Sequence, residues 1–589
     1  MKKKILWLMV SCLMVLSLVL ASCAPAVTEE EEEAALPEEE VVTEEEEVAL
    51  GPEVPKYGGV FNFCISEPLL GLDEAISYPW ATYTLNFTNE ELVSGDWAKG
   101  PAGTGEAGWL IAGTFFLPLS TGIVAESWEI PDTGTFIFHI RKGIHFHDKP
   151  PVNGRELNAD DVVYSLNRLY ELPTSYLNYC YPVGNLLRPT SITAPDKWTV
   201  VVKYPIIEAK RDMGHHDFQR IVPREMVEEW GDLQDWRASC GTGPFMLVDY
   251  VPGSSATLKR NPNYWRKDPL HPENTLPYLD GINMLIVTDP STRLAGLRTG
   301  KLDYLPAISW EEAANFMKTN PELGQLKSLP NAYCIHMRTD NSELPFDDIR
   351  VRRALAMAID NPAIVEDFYG GSAELLTHPL QPCPEFVNIF TPLEELSEST
   401  RKLYEYHPDE ARQLLAEAGY PDGFETKIVC YQDHVPILSI VKDYWAKIGV
   451  DLEINVKEYG VWKSICTGSA HEEMIYDVHA TDCSGAVNRL KEDRWENLSI
   501  ISDQRQIETV ALIDQYRGDW PELQKVWKEF IPYFLDKCWI IETPTPYQYT
   551  MWQPWVQNYH GEFSVGYYNF YNFVNYIWLD TNLKKSMGY

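Results

Sequence analysis

Thirteen glutamates and no lysine or arginine occupy residues 24–53. Like charges repel, and the tract holds almost nothing able to build a core, so it reads as extended and solvated, a tether rather than a partner-binding acidic tail. Whatever folds must come from the about 535 residues that follow. That length exceeds a single hydrophobic core, so two or three compact units are expected. The body is acidic as well. Removing the three amino-terminal lysines and the thirteen tract glutamates from the chain's net −37 leaves −27 for residues 54–589. Phosphate contacts demand clustered Lys and Arg, so no nucleic-acid partner is expected.

Ahead of the tract, Lys2, Lys3 and Lys4 precede an apolar run from Ile5 to Ala21, broken by Ser11 and Ser17. A charged start and a short greasy run form a secretory signal. About 17 residues lie at the short limit for a membrane-spanning helix, so a retained anchor is the competing reading. Small residues before a cysteine, in Leu20-Ala21-Ser22-Cys23, resemble the bacterial lipoprotein signal. The resemblance implies removal of residues 1–22, lipid on Cys23, a tether over 23–56, and an extracytoplasmic body held at the cell membrane. More than one acyl chain gives a lasting anchor, at roughly 0.8 kcal/mol per buried CH₂.

Nine cysteines follow Cys23: Cys64, Cys180, Cys240, Cys334, Cys383, Cys430, Cys466, Cys483 and Cys538. No CxxC pair occurs, which argues against structural zinc or a redox dithiol. Export permits disulfides, yet an odd count leaves at least one thiol free.

Strands are expected at Thr135–Ile140, Thr199–Tyr204, Phe245–Tyr250 and Ile282–Val287, where β-branched and aromatic residues dominate. Helices are expected in NADDVVYSLNRLY with Asn158 as cap, in DDIRVRRALAMAID capped by Asp347 or Asp348, and in HPDEARQLLAEAGY, with Pro408 opening and Gly419 closing. Strands interleaved with helices give an α/β fold.

Several motifs imitate chemistry. Gly103-Thr-Gly105-Glu-Ala-Gly108 matches GxGxxG, but the residues before it form a loop, and a dinucleotide site needs a strand there. His145 and His147 share a strand face, with His139 and Asp148 nearby; a polar strand edge competes with the metal reading. His215 and His216 point apart if extended. There is no GxSxG, HExxH or GxxxxGK[ST]. No catalytic residue, metal ligand or cofactor is assigned, and the chain is not expected to be an enzyme.

Four segments together resemble the extracytoplasmic solute-binding proteins of ATP-binding-cassette importers, the dipeptide- and oligopeptide-binding family. They are IVAESWEIPDTGTFIFHIRKGIHFHDKPPVNGRELNADDVVYSLNRL; GTGPFMLVDYVPGSSATLKRNPNYW with PYLDGI and LRTGKLDYL; LPFDDIRVRRALAMAIDNPAIVEDFYGG; and HPDEARQLLAEAGYPDG with VKDYWAKIGVDLEI. The resemblance runs over about residues 57–589. It implies a two-lobed periplasmic-binding-protein type 2 clamp with an additional subdomain in lobe I. Lobe I would take residues 57–305 and 540–589, with the subdomain near 88–200, and lobe II 306–539. Solute would bind between the lobes, closure would bury it, and importer permease subunits would read the closed monomer.

The family's stretch for holding a peptide's amino group corresponds here to MIYDVHATDCSGAV. The resemblance puts Asp482 in the place of the amine-binding acid, with His479 beside it and Glu67, after the first strand, on the other lobe. The family's tryptophan and "DP" are absent from this stretch, so beside a peptide an oligosaccharide, a nickel or other metal chelate, or an opine-like solute stays open. Nineteen Trp and thirty-two Tyr suit aromatic cleft walls for any of these. From outside the class, a surface hydrolase or a sensory lipoprotein competes.

Overall fold

A computed structural model describes the chain from residue 54 onward, apart from 78–81, 112–116, 133, 186–187, 206–215, 218, 330, 480–482 and 517–518. Its strands in chain order begin with β1 (Val60–Ile65), β2 (Ala125–Asp132), β3 (Thr135–Ile140), β4 (Ser191–Asp196) and β5 (Thr199–Lys203). Next come β6 (Phe245–Val251), β7 (Ser255–Arg260), β8 (Gly281–Ile286), β9 (Tyr304–Ser309) and β10 (Gly324–Ser328). The others used below are β11 (Ala332–Met337), β12 (Ala373–Glu374), β13 (Phe424–Tyr431), β14 (Val450–Lys457), β15 (Met474–His479), β16 (Ile540–Thr543), β17 (Thr545–Pro546) and β18 (Gln548–Trp552); four short strands are left unnumbered, Val93–Gly95 paired with Ser120–Gly122 and Val556–Gln557 with Trp578–Leu579. The helices used below are α1 (Ala159–Glu171), α2 (Trp310–Thr319), α3 (Ile349–Met357), α4 (Pro408–Glu417), α5 (Val435–Ala446), α6 (Tyr459–Thr467) and α7 (Trp520–Lys537).

The four expected strands form within a residue of their sequence limits as β3, β5, β6 and β8. In β3 the alternation works as patterning requires: Phe136, Phe138 and Ile140 are buried while the residues between them are half-buried. Asn158 caps α1, accepting from the Asp160 N–H while Asp161 accepts from the Asn158 N–H. Asp348, rather than Asp347, caps α3. Pro408 opens α4, and Gly419 takes the left-handed conformation (φ +100°) that stops it.

Three larger sheets organise these elements. The first is seven-stranded, in the order β10-β18-β9-β1-β8-β7-β6. The second is five-stranded, β14-β13-β15-β11-β16, and the third is a four-stranded antiparallel sheet of two hairpins, β2-β3-β5-β4. This four-stranded sheet and α1 enclose a hydrophobic core of their own, built on Phe136, Phe138, Val162, Leu166, Val200 and Val202. The chain changes sheets between Ser328 and Ala332, later than the expected boundary at 305, and returns between Thr543 and Gln548, a few residues past Ile540. The reason is packing. Leu305 and Ile308 of β9, Ala313 and Phe316 of α2, and Met551 of β18 bury one another, so the β9–α2–β10 excursion belongs to the first sheet.

The imitative motifs resolve into scaffold. Gly103–Gly108 is a run of turns. His147 is buried, its Nε2 bonded to the Gly243 carbonyl (3.0 Å), and burial holds its imidazole down to about 4. His145 is bonded to the Gly154 carbonyl and His139 to Glu129. Among the described cysteines, Cys64, Cys240, Cys334, Cys430, Cys466 and Cys538 are buried free thiols, and Cys383 is half-buried. Burial pushes the Cys64 thiol up to about 11 and Cys240 to about 12, which leaves them unreactive.

Candidate functional site

Strand directions locate the site. β1, β8 and β9 run parallel, and the carboxyl end of β9 lies beside Gln548, where the chain re-enters the first sheet. In the second sheet β13, β14 and β15 run parallel, and the end of β15 at His479 pairs with Ala332, where the chain enters. Both sheets therefore turn strand carboxyl ends toward the same pair of crossings. In open α/β sheets that edge is where ligands bind. The crossings are short and flanked by antiparallel pairs, Ser328↔Gln548 on one side and Tyr333↔Thr543 on the other. Two short adjacent connections allow rotation about the pair and little else, which is the mechanics of a hinge.

On the first lobe, Glu67 stands exposed just past β1. Burial and then the Glu67 charge raise the phenol of Tyr83 above its ordinary value. Tyr83 packs edge-on against Phe570 (6.1 Å) and Tyr571 (5.6 Å), and Phe570 packs against Phe563 (5.2 Å). Tyr83, Phe563 and Phe570 are only partly buried, so this aromatic group keeps open surface beside Glu67.

On the second lobe, rings gather at the carboxyl ends of β13 and β15 and the amino end of α6. Tyr431, the last residue of β13, lies 4.0 Å from His434, 4.7 Å from Trp462 and 5.3 Å from Tyr459. Trp462 Nε1 donates to the Tyr476 carbonyl (3.1 Å). His434 is buried with neither ring nitrogen hydrogen-bonded; burial holds its imidazole down to about 4 against the opposing pull of Asp477. Burial and then the exposed Asp433 push Tyr431 up to about 12. Tyr459 and Asp433 are exposed here and Tyr431 is half-buried, with His434 and Trp462 packed behind them, so the open surface offers aromatic faces and one carboxylate, which suit a ligand with flat apolar parts and a cationic group.

At the crossings, Glu542 is buried and accepts from the backbone N–H of Thr377 (2.6 Å) and from its hydroxyl. Burial pushes that carboxyl up to about 8. β17 pairs with β12, and the Tyr547 hydroxyl donates to Glu374 (2.8 Å). The lobes also touch away from the hinge, where Glu385 accepts from the N–H groups of Gly108 (2.8 Å) and Trp109 (2.9 Å).

Of the residues singled out in the sequence, Glu67 and His479 stand at strand carboxyl ends in different sheets. Asp482 and Cys23 lie outside the described residues. Asp477 is buried in β15 opposite Cys334. Sequence reasoning missed Tyr83, His434 and Glu385, because no local pattern marks a residue whose role comes from a distant partner.

Two sheets joined by a paired hinge, with the crevice at their strand carboxyl ends, define a two-lobed periplasmic-binding-protein clamp. The chain matches the model of the bacterial extracellular solute-binding proteins, family 5 (middle region), over residues 121–481, more than half its length, and belongs to that family. It is similar to Heme-binding protein A of Haemophilus influenzae, 32% identical over 351 residues, which are 56% of this chain and 60% of that one. It is also 28% identical over 355 residues to the glutathione-binding protein GsiB of Salmonella choleraesuis, covering 60% and 64% of the two chains. The chain thus spans less than two thirds of the length of these relatives. Among solved structures, the ABC transporter-associated periplasmic binding protein DppA of Helicobacter pylori, in complex with the peptide STSA, superposes with a TM-score of 0.63 at 22% identity, over 89% of this chain and 99% of that one.

Proposed function

We propose that this chain is a lipid-anchored extracytoplasmic receptor that captures a peptide between its lobes and delivers it, as a monomer, to the permease of an ATP-binding-cassette importer. The observation that carries the reading is the convergence of strand carboxyl ends from both sheets on one hinge; partly buried aromatic rings and the exposed carboxylates Glu67 and Asp433 stand next to those strand ends. Acidic side chains and aromatic faces match a ligand with an ammonium group and apolar side chains. The relatives named for glutathione and for a bound peptide point the same way. Lobe I then comprises residues 57–328 and 548–589, with the four-stranded sheet as its inserted subdomain, and lobe II residues 332–543. Capture needs only that closure improve contacts to both lobes.

The test is thermal unfolding of the purified body against peptides, oligosaccharides, metal chelates and opine-like compounds. A true solute at 100 times its Kd adds about 2.7 kcal/mol of stability. Glu67→Gln and Asp482→Asn should each weaken an amine-bearing peptide severalfold. A library without any stabilising compound would overturn the receptor reading, and a shift confined to sugars or chelates would replace the peptide.

A further inference from the structure

Glu385 crosses from one lobe to the other. Its segment belongs to lobe II: the nearby Phe390 carbonyl accepts from Lys528 of α7 (2.9 Å). Its partners belong to lobe I. The Trp109 carbonyl accepts from the N–H groups of Phe563 (2.7 Å) and Ser564 (3.2 Å), and the Ala107 N–H donates to the Lys99 carbonyl.

The receiving site is built for an anion. Trp109 is held at φ +53°, a left-handed conformation rare for a bulky residue. That turn of the backbone aims two successive N–H groups at one point, and Glu385 Oε1 occupies it, 2.8 Å from Gly108 N and 2.9 Å from Trp109 N. Gly108, Trp109 and Glu385 are all buried, Glu385 to 4% exposure. The other carboxylate oxygen, Oε2, is buried without a hydrogen-bond partner. Two charge-assisted bonds thus favour contact, while an unsolvated oxygen favours release into water.

We propose that Glu385 and the Gly108–Trp109 backbone form a latch between the lobes that keeps the closed clamp populated without solute and so sets affinity through population rather than through contact with the solute. A latch of this kind acts on every solute alike, because apparent affinity scales with the fraction of protein already competent to bind. The affinity arm of the test below rests on the receptor reading; the distance arm does not.

The closed fraction can be read from energy transfer between non-natural amino-acid labels at the exposed positions Lys259 and Glu417, one on each lobe, in solute-free protein. Glu385→Ala should lower the closed-to-open ratio about tenfold, and Glu385→Gln by a smaller factor, because a neutral amide oxygen still accepts. Gly108→Ala presses on the same seam without touching the carboxylate: a Cβ there would meet Pro384 of the opposite lobe at 3.2 Å and Leu110 at 3.3 Å, so a neighbour must give by a few tenths of an ångström. It gives an independent reading if Glu385→Ala folds poorly. Distance distributions identical to the parent in Glu385→Gln, Gly108→Ala and any folded Glu385→Ala would overturn the latch. With any solute found by thermal unfolding, Glu385→Ala should weaken every ligand by one common factor. Factors that vary from ligand to ligand would place Glu385 in contact with solute and overturn the population mechanism, while the absence of any solute would sink the receptor reading and leave the distance result standing.

Discussion

The Tyr476 hydroxyl lies 2.7 Å from Thr543 Oγ1, inside the protein, and ties a strand of the second sheet to the last residue before the return crossing. Thr543 also donates to the Tyr333 carbonyl, so three strands meet at the hinge through one hydroxyl pair. Tyr476→Phe should cost about 1 kcal/mol in urea unfolding, and Thr543→Val a similar amount. The double variant should lose less than the sum of the two, since both remove the same bond. Full additivity would show that the pair contributes nothing jointly.

Stability should depend on pH from two opposed sets of buried groups. Burial holds Glu74 and Glu542 up to about 8 and Glu91 and Glu562 up to about 7. Between the ordinary carboxylate value near 4.5 and those values the folded protein retains protons that the unfolded chain has lost, so stability from these groups declines as pH rises. Burial holds His147, His434 and His471 down to about 4. Their contribution is present above about 6.5 and is lost as pH falls through 4. The sets oppose each other between about 4.5 and 6.5, and only the carboxyls act above that. The midpoint of thermal unfolding should therefore fall from pH 6.5 to 8, and fall again below about 4.5. A flat profile from 6.5 to 8 would contradict the buried-carboxyl assignment.

In the first lobe, Arg168 of α1 and Asp73 form a buried ion pair, with Nη1 2.7 Å from Oδ1. Asp73 also accepts from the backbone of Ala75 and Leu233. Asp73→Asn keeps the shape but strands a buried guanidinium, and should cost about 3–5 kcal/mol by chemical denaturation. A joint Asp73→Leu and Arg168→Met change should cost less than Asp73→Asn alone, since no charge is left unpaired.

Cys23→Ala should release the protein to the soluble fraction of cells or leave it as uncleaved precursor, followed by fractionation and mass. Unchanged membrane retention together with normal cleavage would rule out lipid at Cys23.

Local rules were enough to read the capped helices and alternating strands, because Asn158, Pro408 and the Phe136–Phe138 pattern act within a few residues of themselves. Family motifs revealed the clamp for a related reason: they are scaffold turns and core-facing helices. The place of the hinge was hidden, because α2 buries Phe316 against Met551, a contact made across more than two hundred residues. Glu385 was hidden the same way. Gly108, the final glycine of the discounted GxGxxG match, does present its N–H to an anion, but the anion is this protein's own carboxylate.

The place of β18 has a consequence for how the molecule is made. It lies inside the first sheet, between β10 and β9, although it is drawn from residues 548–552. β16, at 540–543, is only an edge strand of the second sheet. During synthesis the second lobe can condense with one margin open, whereas the first must wait with a gap in its middle until residue 552 has emerged. The amino-terminal half of the body, though made first, is thus the last to become native.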